Sequence, residues 1–445
     1  MLAAVVLAFI FGVSAVKESG PQIVEIKNLP QESIVKISEI RPVNVLFVGD
    51  IMLDRKVEAQ MQKNGFDYPF EKIKGFLNQS DFVFANLEGP VSKNPTNFSL
   101  NAMTFAFSDK VIAPLVSSNF RIFSLANNHT LNMYQKGLEE TKALLDEAGI
   151  DWVGDPIICS DKYVLKNNLI FLAFNTTFSS CKDKDIIEIV EKTRKENPEK
   201  FLIISMHWGE EYRAEPSQAQ KNLAHQIIDF GADLIIGHHP HVVGQIEEYK
   251  NKMIFYSLGN FIFDQYFSQE TRQGLAVKLE IYKDKIIYHL FPVESIFSQP
   301  QLMEKEKSEA LLKKQGFLPV IAVNNVEIRK VCFDKNCFYA EVVEKESDLA
   351  LGMMFRKFLD ESRGMLFVFS EYKNHPFWMK NTLIPLDIIW LDEDMRVVYI
   401  GENQEPCSEK ICKVINPVEK SKYVLELNAG TAQKINLKIG DKLII

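Results

Sequence analysis

Residues 233–260, DLIIGHHPHVVGQIEEYKNKMIFYSLGN, constrain this chain more than any other stretch. An apolar run, Leu234-Ile235-Ile236, stops at Gly237 and delivers His238, His239 and His241. The chain then turns back into a second apolar run at 253–256. A buried strand has little use for imidazoles at its end, because burying an unpaired polar ring is costly. Pro240 disfavours the helical region for His239 and predicts an extended backbone there. In an extended chain positions i and i+2 share a side. His239 and His241 are therefore expected to converge on one point while His238 faces away. That pattern suits a metal; its plain alternative is a solvated turn rich in histidine.

The same arrangement recurs through the first half. Apolar runs at 44–49, 82–85, 121–125, 201–205 and 234–236 each read as a strand. They end on Gly49-Asp50, on Asn86 to Glu88, on Asn127-Asn128-His129, on His207-Trp208-Gly209 and on the histidine turn. Helical periodicity at 53–63, 134–148 and 218–230 falls between them, with Gly149 and Gly231 as stops. Residues 274–281 and 285–291 read as a closing hairpin turned at Lys283-Asp284. Alternating strands and helices predict a layered α/β fold. Its sites form at the rim beyond the carboxyl ends of the strands, where five of the 8 histidines fall.

Singly, each motif has a plain role. Asp50 can cap the helix after it. Glu88 can be a loop carboxylate, Asn128 can hold a turn, and His129 and His207 can be paired core histidines. Together these residue types supply oxygen and nitrogen ligands that suit one or two ions of Mn²⁺, Zn²⁺ or Fe rather than Ca²⁺. Two such ions can clamp a phosphoryl group and activate water.

A length of 445 residues suggests two or three domains. A net charge of −8 excludes a general affinity for nucleic acid. The apolar run at 2–16 is shorter than the ~20 residues a spanning helix needs. Residues 1–16 read as a signal peptide with Val13-Ser14-Ala15 at the cleavage site, although no basic residue precedes the run. An uncleaved anchor and a buried helix are the alternatives. Residues 17–42 read as a tether, 43–295 as the α/β domain and 296–319 as a charged, helical linker. From 320 to 445 the texture changes to short apolar runs with turns between them, predicting a smaller β-rich α+β domain with one short helix near 350–359. The 6 cysteines, in a chain expected to be exported, favour disulfides. The expected pairs are Cys332–Cys337, Cys407–Cys412 and Cys159–Cys181. Zinc held by the four C-terminal cysteines is the alternative.

Six stretches carry a resemblance: GDIMLDR from Gly49, NLEGP from Asn86, SLANNH from Ser124, MHWGEEY from Met206, GHHPH from Gly237 and YSLGNFIF from Tyr256. Over residues 45–264 the chain resembles the CapA type of poly-gamma-glutamate capsule synthesis proteins, relatives of calcineurin-like metallophosphoesterases. The resemblance implies a four-layer αββα sandwich with the site at its rim. It implies Asp50, Glu88, Asn128, His207, His239 and His241 as metal ligands, His129 as the acid beside them, and Arg55 as the group that meets an anionic substrate. Where the wider phosphoesterase pattern has histidine and aspartate, this chain has Met52 and Glu88. Where the CapA type has aspartate and glycine after its Asn-Asn-His, it has Asn132 and Tyr134. The C-terminal region resembles the family catalogued as domain of unknown function 192, through GMMFRKFL from Gly352, GMLFVF from Gly364, FWMKNTLIPLDIIWLD from Phe377 and YVLELNAG from Tyr423. There Trp378, Met379, Lys380 and Asn381, beside Pro385, line a groove, or Trp378 and Met379 are core.

The resemblance implies an exported protein of capsule or cell-envelope polymer metabolism, with a metal site that binds, and as a hydrolase would cleave, an anionic ester or amide. Its partners would be an anionic polymer or phosphoester and membrane-bound capsule synthesis proteins. Membrane contact would run only through the N-terminal segment. A general metallophosphoesterase and a non-catalytic envelope module are the alternatives.

Overall fold

The computed structural model describes residues 42–445 apart from 97, 100, 101, 283, 284, 318, 319, 324–326, 357, 358, 410 and 411. The N-terminal segment, nearly all of the tether and the turn at Lys283-Asp284 lie outside the described residues.

Two sheets build the first region. The strands of the first, in chain order, are β1 (Val43–Ile51), β2 (Phe82–Leu87), β3 (Phe120–Ser124) and β4 (Asp151–Val153). The second holds β5 (Val164–Lys166), β6 (Leu169–Asn175), β7 (Phe201–His207), β8 (Leu234–His238), β9 (Ile246–Tyr249) and β10 (Lys252–Phe255). The chain then returns to the first sheet with β11 (Asn260–Ile262), β12 (Gln273–Ile281), β13 (Ile286–Ile296), β14 (Gln299–Leu302) and β15 (Val320–Val323). The first sheet runs β14-β13-β12-β1-β2-β3-β4, with β11 beside β1 and β15 beside β13. The second runs β9-β10-β8-β7-β6-β5. Strand β6 has no counterpart among the strands expected above.

Side chains that alternate along a strand face opposite sides. In β1, Val45 and Phe47 enter a core shared with the second sheet, while Leu46 and Val48 enter a core on the far side. In β6, Leu169, Phe171 and Ala173 meet the same shared core. Phe84 of β2 stacks on Phe171 with ring centroids 5.6 Å apart. Helices α1 (Arg55–Asn64) and α2 (Tyr134–Glu147) bury Val57, Met61, Leu138 and Leu145 against the first sheet. Helices α3 (Asp183–Glu196) and α4 (Gln218–Asp229) bury Ile186, Val190, Ala224 and Ile227 against the second. Helix α4 starts on a capping box between Ser217 and Gln220. The N-cap of α1 is Asp54, so Asp50 is not spent on capping.

Residues 296–319, expected as a linker, carry β14, which pairs with β13, and helix α5 (Lys305–Lys314), whose Leu312 is buried in the shared core. The C-terminal region is β-rich. Its sheet has seven strands: β16 (Glu327–Phe333), β17 (Asn336–Val343), β18 (Arg363–Lys373), β19 (Leu386–Leu391), β20 (Val397–Gln404), β21 (Ser421–Asn428) and β22 (Leu443–Ile444). The short helix, α6, lies at Glu346–Leu351, earlier than expected, because Gly352 ends it at φ 48.

All three expected disulfides are present: Cys159–Cys181, Cys332–Cys337 and Cys407–Cys412. Cys332 and Cys337 lie opposite each other in the β16–β17 ladder. The four C-terminal cysteines are thereby consumed and offer no thiolate to zinc. The bridges span separations of 22, 5 and 5 residues. Longer closed loops restrict the unfolded chain more. Replacing Cys159 and Cys181 by serine is expected to cost about 1 kcal/mol more, in the loop-entropy account, than replacing either C-terminal pair. Denaturant titration of the three double variants checks this; equal losses would refute it.

Candidate metal centre

Strands β1, β2 and β3 are parallel neighbours in one sheet, and β7 and β8 are parallel neighbours in the other. Their carboxyl ends meet at one rim. Asp50 lies at the end of β1, Glu88 just beyond β2, Asn128 beyond β3, His207 at the end of β7, and His239 and His241 beyond β8. The His239 backbone N–H donates to Asp50 Oδ2 over 3.2 Å and ties the sheets together.

The histidine turn differs from its expected shape. His239 has φ 97 and His241 φ 59, so neither is extended. Pro240 closes the helical region to His239 but leaves positive φ open. The bond from His239 N–H to Asp50 holds that strained conformation, of a kind that collects at functional sites. The two rings still converge, with centroids 6.0 Å apart. His238 does not face away: its Nδ1 donates to Asp50 Oδ1 over 3.1 Å.

Two overlapping groups offer ligand atoms within 4.8 Å of one another: Asp50, Glu88 and His241, and Glu211, His239 and His241. His241 belongs to both. Its Nδ1 donates to Asn260 Oδ1 at 3.0 Å, which leaves Nε2 facing Glu88 Oε1 at 3.6 Å. His207 and Asn128 stand beside these groups. His207 Nε2 donates to Asn128 Oδ1 at 2.8 Å, and the His207 ring lies 4.8 Å from that of His239. Asn86 sits between the carboxylates. Its amide donates to Asp50 at 2.9 Å and approaches Glu88 Oε2 and His207 Nδ1 at 3.5 and 3.3 Å. Asn127 in turn holds the Asn86 carbonyl at 3.0 Å.

Burial is the largest influence on these groups. It pushes His129 and His239 down to about 4, and His207 well below the ordinary range. Burial would raise Asp50, but hydrogen bonds from His238 and His241 hold it well below the usual carboxylate value. Burial carries Glu88 upward. It would lower His241, yet the Glu88 charge and the Asp50 hydrogen bond hold that imidazole up at about 9. Glu88 Oε1 and His239 Nδ1 are buried with no hydrogen-bond partner among the described residues. Imidazoles kept neutral at His207 and His239, buried carboxylates and unpaired ligand atoms in one place fit a divalent transition metal.

A cleft of about 230 Å³ opens onto His241, Glu211 and His129. His129 Nδ1 donates to Asn132 Oδ1 at 3.1 Å, and its Nε2 faces Glu88 at 3.8 Å. Arg55 lies in the cleft wall between the Phe105 and Phe263 rings, 4.9 and 5.7 Å from their centroids. It pairs with Asp264 and donates to the Ala102 carbonyl at 3.1 Å.

Residues 44–265 match the family described as "Bacterial capsule synthesis protein PGA_cap". The chain is 32% identical over 272 residues to the capsule biosynthesis protein CapA of Bacillus anthracis, covering 54% of this chain and 65% of that protein. It is 32% identical over 262 residues to the PGA biosynthesis protein CapA of Bacillus subtilis (strain 168), covering 54% and 67%. This chain belongs to the bacterial capsule synthesis protein family. It spans just under two thirds of the Bacillus anthracis relative. Residues 329–445 match a second family, DUF192, described as "Uncharacterized ACR". A solved protein of unknown function from Novosphingobium aromaticivorans DSM 12444 is 32% identical, covering 27% of this chain and 85% of its own, with a TM-score of 0.25.

The capsule-family motifs contain site residues that their chemistry alone did not single out. Glu211, inside MHWGEEY, completes the second ligand group. Asn86, the first residue of NLEGP, orients both carboxylates. Asp264, just past YSLGNFIF, neutralises Arg55. Tyr134, after the Asn-Asn-His motif, has a left-handed backbone at φ 55. In the DUF192 region Met379 is buried and Trp378 half-buried, packed against the Tyr282 and Met354 cluster.

Proposed function

We propose that this protein acts in the synthesis or processing of a capsular, polyglutamate-like polymer. In this reading its rim site holds one or two ions of Mn²⁺, Zn²⁺ or Fe and hydrolyses an anionic ester or amide. The observation that carries the proposal is the pair of ligand groups sharing His241 at the mouth of a cleft. The names and similarity of the capsule-associated relatives support the polymer. Asp50, Glu88, Glu211, His239 and His241 would hold the metal, with Asn128 and His207 completing the set. A metal there supplies Lewis acidity and a bound water of lowered pKa.

The chain's own groups do the rest. Asn86 and Asn260 hold the carboxylates and His241 in place. His129, its Nδ1–H fixed by Asn132 and its ring kept neutral by burial, presents a free Nε2 that would accept a proton from the attacking water and pass it to the leaving group. Arg55 keeps its Nε–H, which has no hydrogen-bond partner among the described residues, for the substrate's negative charge. The proposal includes the four-layer αββα arrangement, which the core between the sheets and the helix-covered core on each outer face support. It also includes export, supported by the disulfides, and work beside membrane-bound capsule synthesis proteins. Among the described residues no helix is long and apolar enough to cross a membrane.

Metal analysis of the purified protein, with assays on a chromogenic phosphodiester and on poly-γ-glutamate, tests this reading. Bound metal and metal-dependent cleavage are expected. A protein that takes up no metal in excess Mn²⁺ or Zn²⁺ would defeat the hydrolase reading. Metal without turnover would make it a metal-dependent binding protein.

A further inference from the structure

Four aromatic side chains near the rim stand in water. Tyr134 is 83% exposed, Phe178 89%, Tyr212 46% and Phe267 67%. Rings left in solvent forgo the burial that normally makes them stabilising. Three of them also adopt a left-handed backbone, with φ 55 at Tyr134, 51 at Phe178 and 63 at Tyr212. That region is strained for a residue with a bulky side chain and is left mostly to glycine, asparagine and aspartate. Exposure and strain in the same residues are not rewarded by folding.

Each ring is placed by a segment that also places the site. Tyr134 ends the turn that begins at His129, and its N–H donates to the Leu131 carbonyl at 2.8 Å. Phe178 follows Asn175, the residue of β6 in register with His207. Tyr212 follows Glu211, and its N–H donates to the Pro240 carbonyl at 2.8 Å. Phe267 meets Tyr212 edge-on with centroids 5.3 Å apart. Tyr212 and Phe267 line the 230 Å³ cleft together with Lys56, whereas Tyr134 and Phe178 lie outside its lining. A ligand confined to the cleft would leave those two rings unused.

We propose that the four rings form a track for an extended, anionic polyamide chain that runs past the metal-ligand groups. This inference rests on the substrate class proposed above and deepens it: the occupant is a long chain held by rings outside the cleft as well as within it, rather than a small ester. Ring faces pack on the flat amide groups and methylene stems of such a chain. The side carboxylates stay in water or meet the exposed Lys56, which lies over the Tyr266 ring at 5.9 Å.

Binding of a labelled long poly-γ-glutamate and of a γ-glutamyl trimer to the full chain, loaded with Mn²⁺, tests the track. The long chain is expected to bind more tightly. Tyr134→Gly and Phe178→Gly should each hold or raise Tm, because glycine takes positive φ freely. Each should weaken binding of the long chain about three- to ten-fold with Mn²⁺ content unchanged. Tyr134→Asn and Phe178→Asn, which also accept positive φ, separate loss of the ring from gain of backbone freedom and should weaken binding equally. Equal affinity for trimer and long chain, or variants that bind the long chain like wild type, would overturn the track. Metal content read on the same samples keeps the two readings apart. A wild type that binds metal without length dependence overturns the track alone. Length-dependent binding without metal supports the track and overturns the hydrolase.

Discussion

Replacing His241 by alanine is expected to remove metal from both ligand groups, whereas replacing His239 should spare one. His241 is the residue that the two groups share, and His239 belongs only to the set with Glu211. His239→Ala therefore leaves Asp50, Glu88 and His241 able to bind. The two variants should also differ in stability without metal. Asp50 and Glu88 are fully buried, and His241 reaches Asp50 Oδ2 at 3.4 Å and Glu88 Oε1 at 3.6 Å. Removing one partner of a buried charge cluster commonly costs about 3–5 kcal/mol. Protonation of Glu88, already raised by burial, relieves part of that cost at low pH. In the metal-free wild type the raised imidazole contributes stability that is complete below its unfolded value near 6.5 and is lost as pH passes about 9. Metal stoichiometry and urea unfolding at pH 6 and 9 read all of this. A His241→Ala protein that retains metal, or a His239→Ala protein that loses all of it, would refute the shared-ligand geometry.

The parts of this site that could be read in the sequence are those where residue type and strand end coincide. Asp50, Glu88, Asn128, His207, His239 and His241 each close or follow an apolar run, so their shared rim could be anticipated. Which sheet each strand joins could not. The βα alternation reads the same in both, and only the shared core around Phe84 and Phe171 shows that the site spans two sheets. Backbone choices were also out of reach. Pro240 excludes one region for His239 without selecting among the rest, and the selection comes from Asp50, far away in sequence. Glu211 joins His239 and His241 because Tyr212 turns the chain at φ 63 and bonds to Pro240. Nothing in Gly209-Glu210-Glu211 indicates which carboxylate turns inward. Residues 296–319 show the same dependence on tertiary context. Their charged helical pattern reads as a linker, and the burial of Leu312 of α5 in the shared core is not visible in that pattern.

Where the two sheet systems meet, stability is expected to fall as pH rises from about 4.5 to about 8 through one carboxyl, Glu426. Arg356, from the C-terminal region, is fully buried. It grips Glu341 through both Nη atoms at 2.5 and 2.7 Å and reaches across to Tyr282 Oη at 3.4 Å and Glu280 Oε2 at 3.6 Å. Its charge is already shared by two carboxylates when Glu426 joins them, its Oε2 buried without a hydrogen-bond partner among the described residues. Burial therefore raises Glu426 to about 8, with Arg356 opposing the shift. A carboxyl raised on folding stabilises fully below its unfolded value, and the contribution is lost as pH climbs through the folded one. Each unit of displacement corresponds to roughly 1.4 kcal/mol, so the loss amounts to a few kcal/mol across that window. Glu426→Gln keeps the shape and cannot ionise. Its Tm should decline less than that of the wild type, and the two curves should diverge most near pH 8. His289, also buried here and lowered by burial, acts in the opposite direction and loses its contribution as pH falls. It is common to both proteins and cancels in the difference. Thermal unfolding of the two full chains from pH 5 to 8.5, at constant ionic strength and metal, measures that difference directly. Parallel curves would mean that Glu426 is ionised in the fold and that Arg356 carries a third carboxylate.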